Sequence, residues 1–226
     1  MVVPVDPAGS AGTLRLEPER KLRNAGLIRF AGVDEAGRGP LAGPVVAAAV
    51  VLPLPWIDDG VPPAFCALND SKQLSETQRD RFYELLTQTP GVEFGVALAE
   101  AAEIDAMNIL RATHQAMNAA LAQLQPAVQH ALVDGTPVRI LRVAQTALVK
   151  GDSRSYSIAA ASVLAKVTRD RLMLEADRQW PAYGFARHKG YPTPDHLAAL
   201  ARHGPCPIHR RSFAPLRRPD PELFPL

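Results

Sequence analysis

Four carboxylates at three places in the sequence could together hold divalent metal ions. Asp34 and Glu35 come at the end of an apolar run and directly before a glycine-rich turn, and Asp134 and Asp152 each follow a further apolar run. Each run predicts a buried strand, so each carboxylate is expected at a strand end. Carboxylates gathered there repel one another and raise each other's pKa unless cations offset their charge. Because these oxygen ligands come without a Cys or His pair, the pattern favours Mg²⁺ or Mn²⁺ over zinc.

Such a cluster would suit phosphodiester hydrolysis. Two ions about 3.5–4 Å apart can clamp the attacking and leaving oxygens of an in-line phosphoryl displacement. Taken singly, each aspartate could instead cap a helix or form a turn, and Asp134-Gly135 is a common turn dipeptide. Acids at three strand ends of one sheet favour the metal site over independent turns.

The charge of the chain is unevenly distributed. The net charge of the 226 residues is only +2, but residues 150–218 carry 13 Lys and Arg against five Asp and Glu, and the remainder carries 12 against 18. A basic C-terminal third suits a polyanion such as nucleic acid laid across one face. A solvated surface that simply favours arginine is the alternative.

Composition limits the class of protein. A chain of this length with 47% hydrophobic residues can build a core without disulfides. Its two cysteines, Cys66 and Cys206, are far apart, which indicates a reducing compartment and argues against a structural zinc site. The start lacks a signal-peptide pattern, and no apolar run approaches membrane-spanning length. We therefore expect a soluble, cytoplasmic monomer that has no membrane partner.

The periodicity of apolar residues predicts an α/β fold with a mixed β-sheet flanked by helices. Residues 1–26 show no sustained apolar period and are expected to form a partly disordered N-terminal extension. Residues 27–180 are expected to form the catalytic domain, and residues 181–226 a helical C-terminal region and tail. The predicted strands are 27–33, 45–52, 92–98, 130–133 and 143–149, and the predicted helices are 75–88, 101–124, 157–180 and 193–203.

Several blocks of this sequence resemble the motifs of one family. The stretch Gly-Val-Asp-Glu-Ala-Gly-Arg-Gly-Pro at 32–40 is similar to the opening signature of the type 2 ribonucleases H (ribonuclease HII). The other blocks come in the family's order, and the resemblance runs from about residue 28 to 215. The matching blocks are residues 32–45, 68–72, 133–135, 150–153, 157–170, 183–185, 188–193 and 209–213.

The resemblance implies a metal-dependent endonuclease with a ribonuclease H-like mixed sheet and a helical C-terminal part. Such enzymes cut the RNA strand of RNA-DNA hybrids and single ribonucleotides embedded in duplex DNA, as in ribonucleotide excision, and leave 3′-hydroxyl and 5′-phosphate ends. Carried over by position, the catalytic and metal-binding residues are Asp34, Glu35, Asp134 and Asp152. The implied cofactor is Mn²⁺ or Mg²⁺, with two ions during catalysis.

A nuclease selective for RNA must detect the ribose 2′-hydroxyl. Gly37, Arg38 and Gly39 resemble the family's ribose-reading loop, whose backbone can approach a sugar closely because glycine has no Cβ. Tyr191 resembles the tyrosine that stacks at the scissile junction. A plain turn and a half-buried aromatic residue before Pro192 are the alternatives.

Basic side chains in the matching blocks are candidate phosphate contacts, because they neutralise backbone charge without reading sequence. Lys72, Lys150 and Lys189 are the first candidates. For Lys166 and Arg169, which lie in the same predicted helix as Asp170, a local ion pair with that aspartate is an equal alternative. The further candidates are Arg154, Lys166, Arg210 and Arg211.

Two other functions compete with a nuclease. The Gly37–Gly43 stretch imitates a dinucleotide-binding loop, but Pro44 and a β-branched run follow it where that motif needs a helix. A catalytically idle binder of hybrid duplexes would use the basic third alone. The tail at 219–226 exposes Leu and Phe in a Pro-rich end, which could dock on a sliding clamp or be disordered.

Overall fold

The computed structural model describes residues 15–217 and contains one mixed sheet between helices. The fold class predicted from the periodicity is therefore confirmed. The strands are β1 Phe30–Ala36, β2 Val45–Val51, β3 Glu93–Ala99, β4 His130–Asp134 and β5 Ala144–Leu148. The helices are α1 Glu17–Asn24, α2 Leu54–Asp59, α3 Glu76–Gln88, α4 Ala101–Met107, α5 Ile109–Ala122, α6 Tyr156–Gln179, α7 Phe185–His188 and α8 Pro194–His203.

The order of the strands brings three chain segments to one edge of the sheet. The five strands lie in the order β3-β2-β1-β4-β5. β2 pairs with β1 and β3 in antiparallel fashion, whereas β4 runs parallel to both β1 and β5. Because the carboxyl ends of parallel strands meet at the same edge, the residues that end β1, β4 and β5 must lie near one another. Val33 is level with Val133, so Asp34 and Asp134 follow side by side.

Both faces of the sheet are covered, so its central strands are apolar on both sides. Alternate residues of β2 point to opposite faces: Val46 and Val50 join a core with α6, and Ala47 and Ala49 join a core with α5. Helix α6 lies especially close to β1, because a Cβ built on Gly32 would be 2.1 Å from the carbonyl carbon of Ser157. The glycine thus sets the distance between the central strand and the longest helix.

One long predicted helix is two helices. The apolar period over 101–124 predicted a continuous helix, but the chain breaks at Asn108, whose φ is 73°. Asparagine tolerates this left-handed φ, and its side chain accepts a hydrogen bond from the Arg111 N–H at 3.1 Å, so it caps α5. A local side-chain cap outweighs the periodic pattern here. The predicted helix at 75–88 is present as α3, and a capping box of Ser75 and Gln78 begins it.

The N-terminal segment is ordered where the structure describes it. Residues 17–24 form α1, and Leu16 before it is buried in the core. Glu19 is also buried, and its carboxylate accepts hydrogen bonds from the hydroxyls of Ser155 and Ser157 at 2.6 and 2.8 Å. Of the predicted N-terminal extension, residues 15–26 are therefore ordered, and the proposed division of the chain at residues 26 and 180 stays a prediction. Residues 1–14 and the predicted clamp-docking tail at 219–226 lie outside the described residues.

Within residues 15–217, none of the helices combines the length and apolar composition needed to cross a bilayer.

Replacing Gly32 with alanine is expected to destabilise the fold strongly. The new Cβ would overlap the backbone of Ser157 at 2.1 Å, which forces α6 away from β1. We expect a loss of about 3 kcal/mol or more, measured by urea unfolding. Gly26→Ala is the control: a Cβ there meets no atom within 4 Å, and its φ of +86° leaves a backbone penalty of roughly 1–2 kcal/mol. Equal losses in the two variants would contradict close strand–helix packing as the cause.

Candidate active site

Three of the four predicted carboxylates converge at one edge of the sheet. Asp34, Asp134 and Asp152 each offer an oxygen atom, and these atoms all lie within 4.8 Å of one another. Asp34 is on β1 and Asp134 is the last residue of β4. Asp152 lies in a short 3₁₀ turn, Gly151–Ser153, four residues beyond the end of β5. Two neighbouring parallel strands and the turn that follows a third thus supply the three side chains.

Backbone N–H groups fix one oxygen of each carboxylate. Asp34 Oδ1 accepts from the Glu35 N–H at 2.7 Å, Asp134 Oδ1 from the Gly151 N–H at 2.6 Å, and Asp152 Oδ1 from the Ser153 N–H at 2.9 Å. Each of these hydrogen bonds orients a carboxylate and offsets part of its charge. The hydrogen bond to Gly151 also ties the turn after β5 to the end of β4.

Burial and mutual repulsion make the ionised cluster unfavourable by itself. Asp34 is buried, and its pKa is raised well above the ordinary value by desolvation and then by the charges of Glu35 and Asp134. The pKa of Asp152 is raised to about 6 by burial and then by the charges of Asp134 and Asp70. A divalent cation among the three carboxylates would remove this repulsion. The donor set of carboxylate oxygens fits Mg²⁺ or Mn²⁺.

Glu35 lies beside the three aspartates and has a different partner. Its carboxylate forms an ion pair with Arg38 at 3.2 Å, and burial raises its pKa while the Arg38 charge opposes that rise. β1 continues to Ala36 because Glu35 pairs with Ala47 of β2, so both acids lie within the strand. The sequence had predicted that the strand ends before them. In the described residues, the group of ligand atoms within 4.8 Å comprises the aspartates and not Glu35.

Asp70 is a fifth carboxylate near this edge, and the residue pattern alone did not single it out. Its charge contributes to the raised pKa of Asp152, and it lines a cavity of about 370 Å³ together with Asp134 and Asp152. Two of the predicted phosphate contacts, Lys72 and Lys150, line the same cavity. The signal for Asp70 was its place in the 68–72 block, where it precedes Ser71 and Lys72.

A second cavity, of about 300 Å³, adjoins the acids on the side of the glycine-rich turn. It brings together Asp34, Glu35 and most of the predicted substrate-binding residues. Tyr191 is 43% exposed, and a Cβ built on Gly39 would lie 3.7 Å from its ring. The predicted loop and the predicted stacking residue are therefore neighbours. The lining residues named by the sequence are Gly37, Arg38, Gly39, Lys72 and Tyr191.

The structure does not bring Lys189 to either cavity. Its backbone is left-handed, with φ of 49°, at the end of α7, and its ammonium group donates to the carbonyl of Ala186 in that helix. Lys189 thus caps its own helix, an arrangement that a basic residue in a motif block does not reveal. Lys166 forms the local ion pair with Asp170 that the sequence left open, at 2.8 Å, and also lines the second cavity.

The dinucleotide-binding alternative fails on local structure. That loop would need a helix to begin directly after it, with its N-terminus facing a pyrophosphate. Here Pro44 leads into β2, which starts at Val45. Two carboxylates also precede the loop on β1, and they would repel phosphate.

Known proteins resemble this chain over most of its length. The family model described as ribonuclease HII matches residues 31–216. A ribonuclease HII of Geobacillus thermodenitrificans (strain NG80-2) is 54% identical over 199 residues, which cover 88% of this chain and 73% of the relative. The chain belongs to the ribonuclease HII family. It is therefore an endoribonuclease, and its family acts on RNA in RNA-DNA hybrids, which excludes the idle binder.

Solved structures of ribonuclease HII relatives share the fold. The ribonuclease H2 from Pyrococcus horikoshii OT3 superposes with a TM-score of 0.69 at 28% identity, covering 84% of this chain and 96% of that chain. The ribonuclease HII in a structure of its complex with PCNA from Archaeoglobus fulgidus gives a TM-score of 0.66 at 24% identity, covering 87% and 100%. The predicted ribonuclease H-like sheet is thereby confirmed.

Without metal, the acidic cluster is expected to lower the stability of the protein as pH rises. An aspartate has an ordinary pKa of 3.8, and the pKa of folded Asp152 is about 6, so the folded state holds extra protons between these values. The stabilising effect of those protons is lost as pH rises through about 6, and Asp34 extends the loss to higher pH. In chelator, wild type should therefore lose more Tm than Asp34→Asn between pH 4.5 and 7.5, by about 3 °C or more.

Thermal unfolding with and without Mn²⁺ checks this expectation. Added Mn²⁺ should raise the Tm of wild type at pH 7.5 and leave that of Asp34→Asn nearly unchanged. Asp80→Asn, which alters an exposed acid paired with Arg171, should behave as wild type. Parallel pH profiles for wild type and Asp34→Asn in chelator would contradict repulsion within the cluster.

Proposed function

We propose that this endoribonuclease cuts RNA strands in hybrids and also single ribonucleotides embedded in duplex DNA, with two divalent ions held by Asp34, Glu35, Asp134 and Asp152. The observation that carries the proposal is the convergence of three aspartates within 4.8 Å beside the cavity that Gly37 and Tyr191 line. The acids and the sugar-reading elements are thus neighbours at one sheet edge. A substrate phosphate beside the acids would have its ribose next to the loop.

The acidic side chains fit a divalent ion by their chemistry. Three carboxylates with one backbone-fixed oxygen each converge, and burial with mutual repulsion raises the pKa of Asp34 and Asp152. When bound, Mg²⁺ or Mn²⁺ would supply positive charge to the phosphate oxygens and help to ionise the attacking water. Glu35 is not among the ligand atoms that lie within 4.8 Å of one another, and to join them it would have to leave its ion pair with Arg38.

The proposed cleavage breaks the bond between phosphorus and the 3′ oxygen. A water oxygen attacks the phosphorus in line with that bond, the 3′ oxygen leaves and takes up a proton, and the water oxygen stays on the phosphate. The products are then a 3′-hydroxyl and a 5′-phosphate. Lys72 and Lys150 line the cavity that holds Asp134 and Asp152, so their ammonium groups are placed to attract the scissile and adjoining phosphates.

Recognition of the ribose is assigned to the backbone of the 37–39 turn and to Tyr191. The 2′-hydroxyl can accept a hydrogen bond from a backbone N–H, and deoxyribose leaves that donor unpaired. The exposed ring of Tyr191 offers a face on which the sugar and base at the junction can stack. Lys189 stays a proposed phosphate contact, for which its ammonium group would have to leave the carbonyl of Ala186 at the end of α7.

A sliding clamp is the protein partner that the sequence predicted. The Archaeoglobus fulgidus structure shows its own ribonuclease HII with PCNA, and at 24% identity it shares the fold with this chain. A sliding clamp therefore stays a prediction for this protein, and the tail proposed to bind it lies outside the described residues. The monomeric state and the cytoplasmic location also stay predictions.

Asp134→Asn should separate cleavage from binding. The substitution keeps the size of the side chain and its acceptor for the Gly151 N–H but removes a central charge. We expect cleavage of an RNA-DNA hybrid in Mg²⁺ to fall by at least about 100-fold in kcat, with the hybrid Kd within a few-fold of wild type. Asp80→Asn serves as the matched control on the surface. Near-normal cleavage by Asp134→Asn would remove that residue from the proposed ion site.

A duplex with one embedded ribonucleotide tests the finer specificity. Wild type should cut it at the ribonucleotide and leave the identical all-DNA duplex intact, because only ribose pairs with the loop donors. Mass spectrometry of the products should find 3′-hydroxyl and 5′-phosphate ends. Tyr191→Ala should reduce kcat/KM on this duplex by about 10-fold or more, and Tyr191→Phe should retain most of it, since the ring face is kept. Cutting of the all-DNA duplex at a similar rate would contradict ribose recognition.

A further inference from the structure

Two buried arginines hold the 37–44 loop from behind. Arg169 projects from the middle of α6, and Arg210 comes from the segment after α8; both are at most 1% exposed. Within residues 15–217, every hydrogen bond of their guanidinium groups goes to a backbone carbonyl of this loop. Arg210 donates to the carbonyls of Gly37, Arg38 and Gly43 at 2.6, 3.0 and 2.9 Å, and Arg169 to those of Pro44 and Ala42 at 3.0 and 3.1 Å.

Burying these two arginines costs free energy of folding. Burying two like charges side by side is unfavourable, and the pKa of Arg210 is lowered to about 9 by burial and then by the charge of Arg169. Arg210 still carries its charge at neutral pH. Carbonyl dipoles offset part of the lost hydration, and five of the eight loop residues supply one. The charges therefore dictate where these carbonyls point.

The direction of the carbonyls fixes the direction of the N–H groups. The peptide bonds of the loop are trans, since the two cis bonds of the described chain lie at Gln125-Pro126 and Ala214-Pro215. In a trans peptide, the C=O of one residue and the N–H of the next point in opposite directions. The carbonyls of Gly37 and Arg38 point to Arg210, so the N–H groups of Arg38 and Gly39 point away from it.

The side of the loop opposite Arg210 is open to substrate. Gly37, Arg38 and Gly39 line the cavity that holds Asp34 and Tyr191. Arg169 lies close to both the loop and Tyr191. Its Nε would lie 2.0 Å from a Cβ on Gly37, and its guanidinium carbon is 6.0 Å from the centre of the Tyr191 ring.

We infer that Arg169 and Arg210 are positioning residues for ribose selection, which turn the N–H groups of Arg38 and Gly39 toward the substrate 2′-hydroxyl. The inference rests on the proposed ribose-reading role of the loop. It assigns selectivity to two cations that act through the backbone of the loop. It also gives Gly37 a second reason to be glycine: besides its φ of +94°, any side chain there would displace Arg169.

The test compares discrimination with overall binding. The substrates are a duplex with one ribonucleotide, assayed for kcat/KM in Mg²⁺, and the identical all-DNA duplex, assayed as a competitive inhibitor for Ki. Arg210→Met and Arg169→Met keep most of the side-chain volume and remove the charge and the donors. We expect each to lower kcat/KM by about 10- to 100-fold while Ki changes less than about 2-fold, since losing an oriented hydrogen bond has that effect.

Matched variants separate positioning from general damage. Arg171→Met removes an arginine of α6 that is half exposed and paired with Asp80, so it should leave both constants unchanged. Arg210→Lys retains the charge with a single donor group and should recover part of the lost kcat/KM. An equal loss in kcat/KM and in affinity for the all-DNA duplex would overturn the inference, because it would indicate a collapsed surface.

A measurement on the unaltered protein keeps the inference testable if a methionine variant fails to fold. Backbone amide NMR signals of Arg38 and Gly39 should shift on adding the ribonucleotide duplex, in the absence of metal, and shift much less with the all-DNA duplex. Equal shifts would overturn the inference. Failure of the proposed function would give a different result, in which wild type cuts both duplexes at the same rate. If wild type discriminates and Arg210→Met discriminates equally well, only the positioning role is lost.

Discussion

Repulsion among carboxylates at the end of parallel strands is the constraint on which this structure depends. Asp34 and Asp134 follow level residues of β1 and β4, and a hydrogen bond from Gly151 to Asp134 draws in the turn that carries Asp152. The fold holds the three groups together against their charge, at a raised pKa for Asp34 and Asp152. A site of this kind gives up stability of the free protein in exchange for affinity for a cation.

The rest of the molecule can be understood as support for that edge. Gly32 lets α6 approach β1, and the start of α6 is fixed by the carboxylate of Glu19, which accepts from Ser155 and Ser157. α6 also carries Arg169, which with Arg210 holds the loop beside the acids. One helix thus joins the acidic edge of the sheet to the loop proposed to read the sugar, so the packing of α6 on the sheet sets the distance between them.

The sheet and the acids could be predicted from the sequence because both leave local signals. Alternating or continuous apolar runs mark strands, and acids directly after them mark a sheet edge. Other features depend on distant partners. The segment around Leu16 has few apolar residues, so the sequence shows no periodic pattern that would predict the docking of α1. At Asn108 the apolar period continues through the point where the helix breaks. The sequence suggested a phosphate contact for Arg210 and a local ion pair with Asp170 for Arg169, because a guanidinium that binds carbonyls needs no acidic neighbour in the sequence. The contact between the Lys189 ammonium group and the Ala186 carbonyl also left no signal in the sequence.

The most direct test of the central claim is a crystal structure of the protein soaked in Mn²⁺, with data collected at the manganese absorption edge. We expect an anomalous peak bounded by Asp34, Asp134 and Asp152, within coordination distance of a carboxylate oxygen of at least two of them. A fully soaked crystal with no peak among these side chains, or with the peak bound elsewhere, would contradict it.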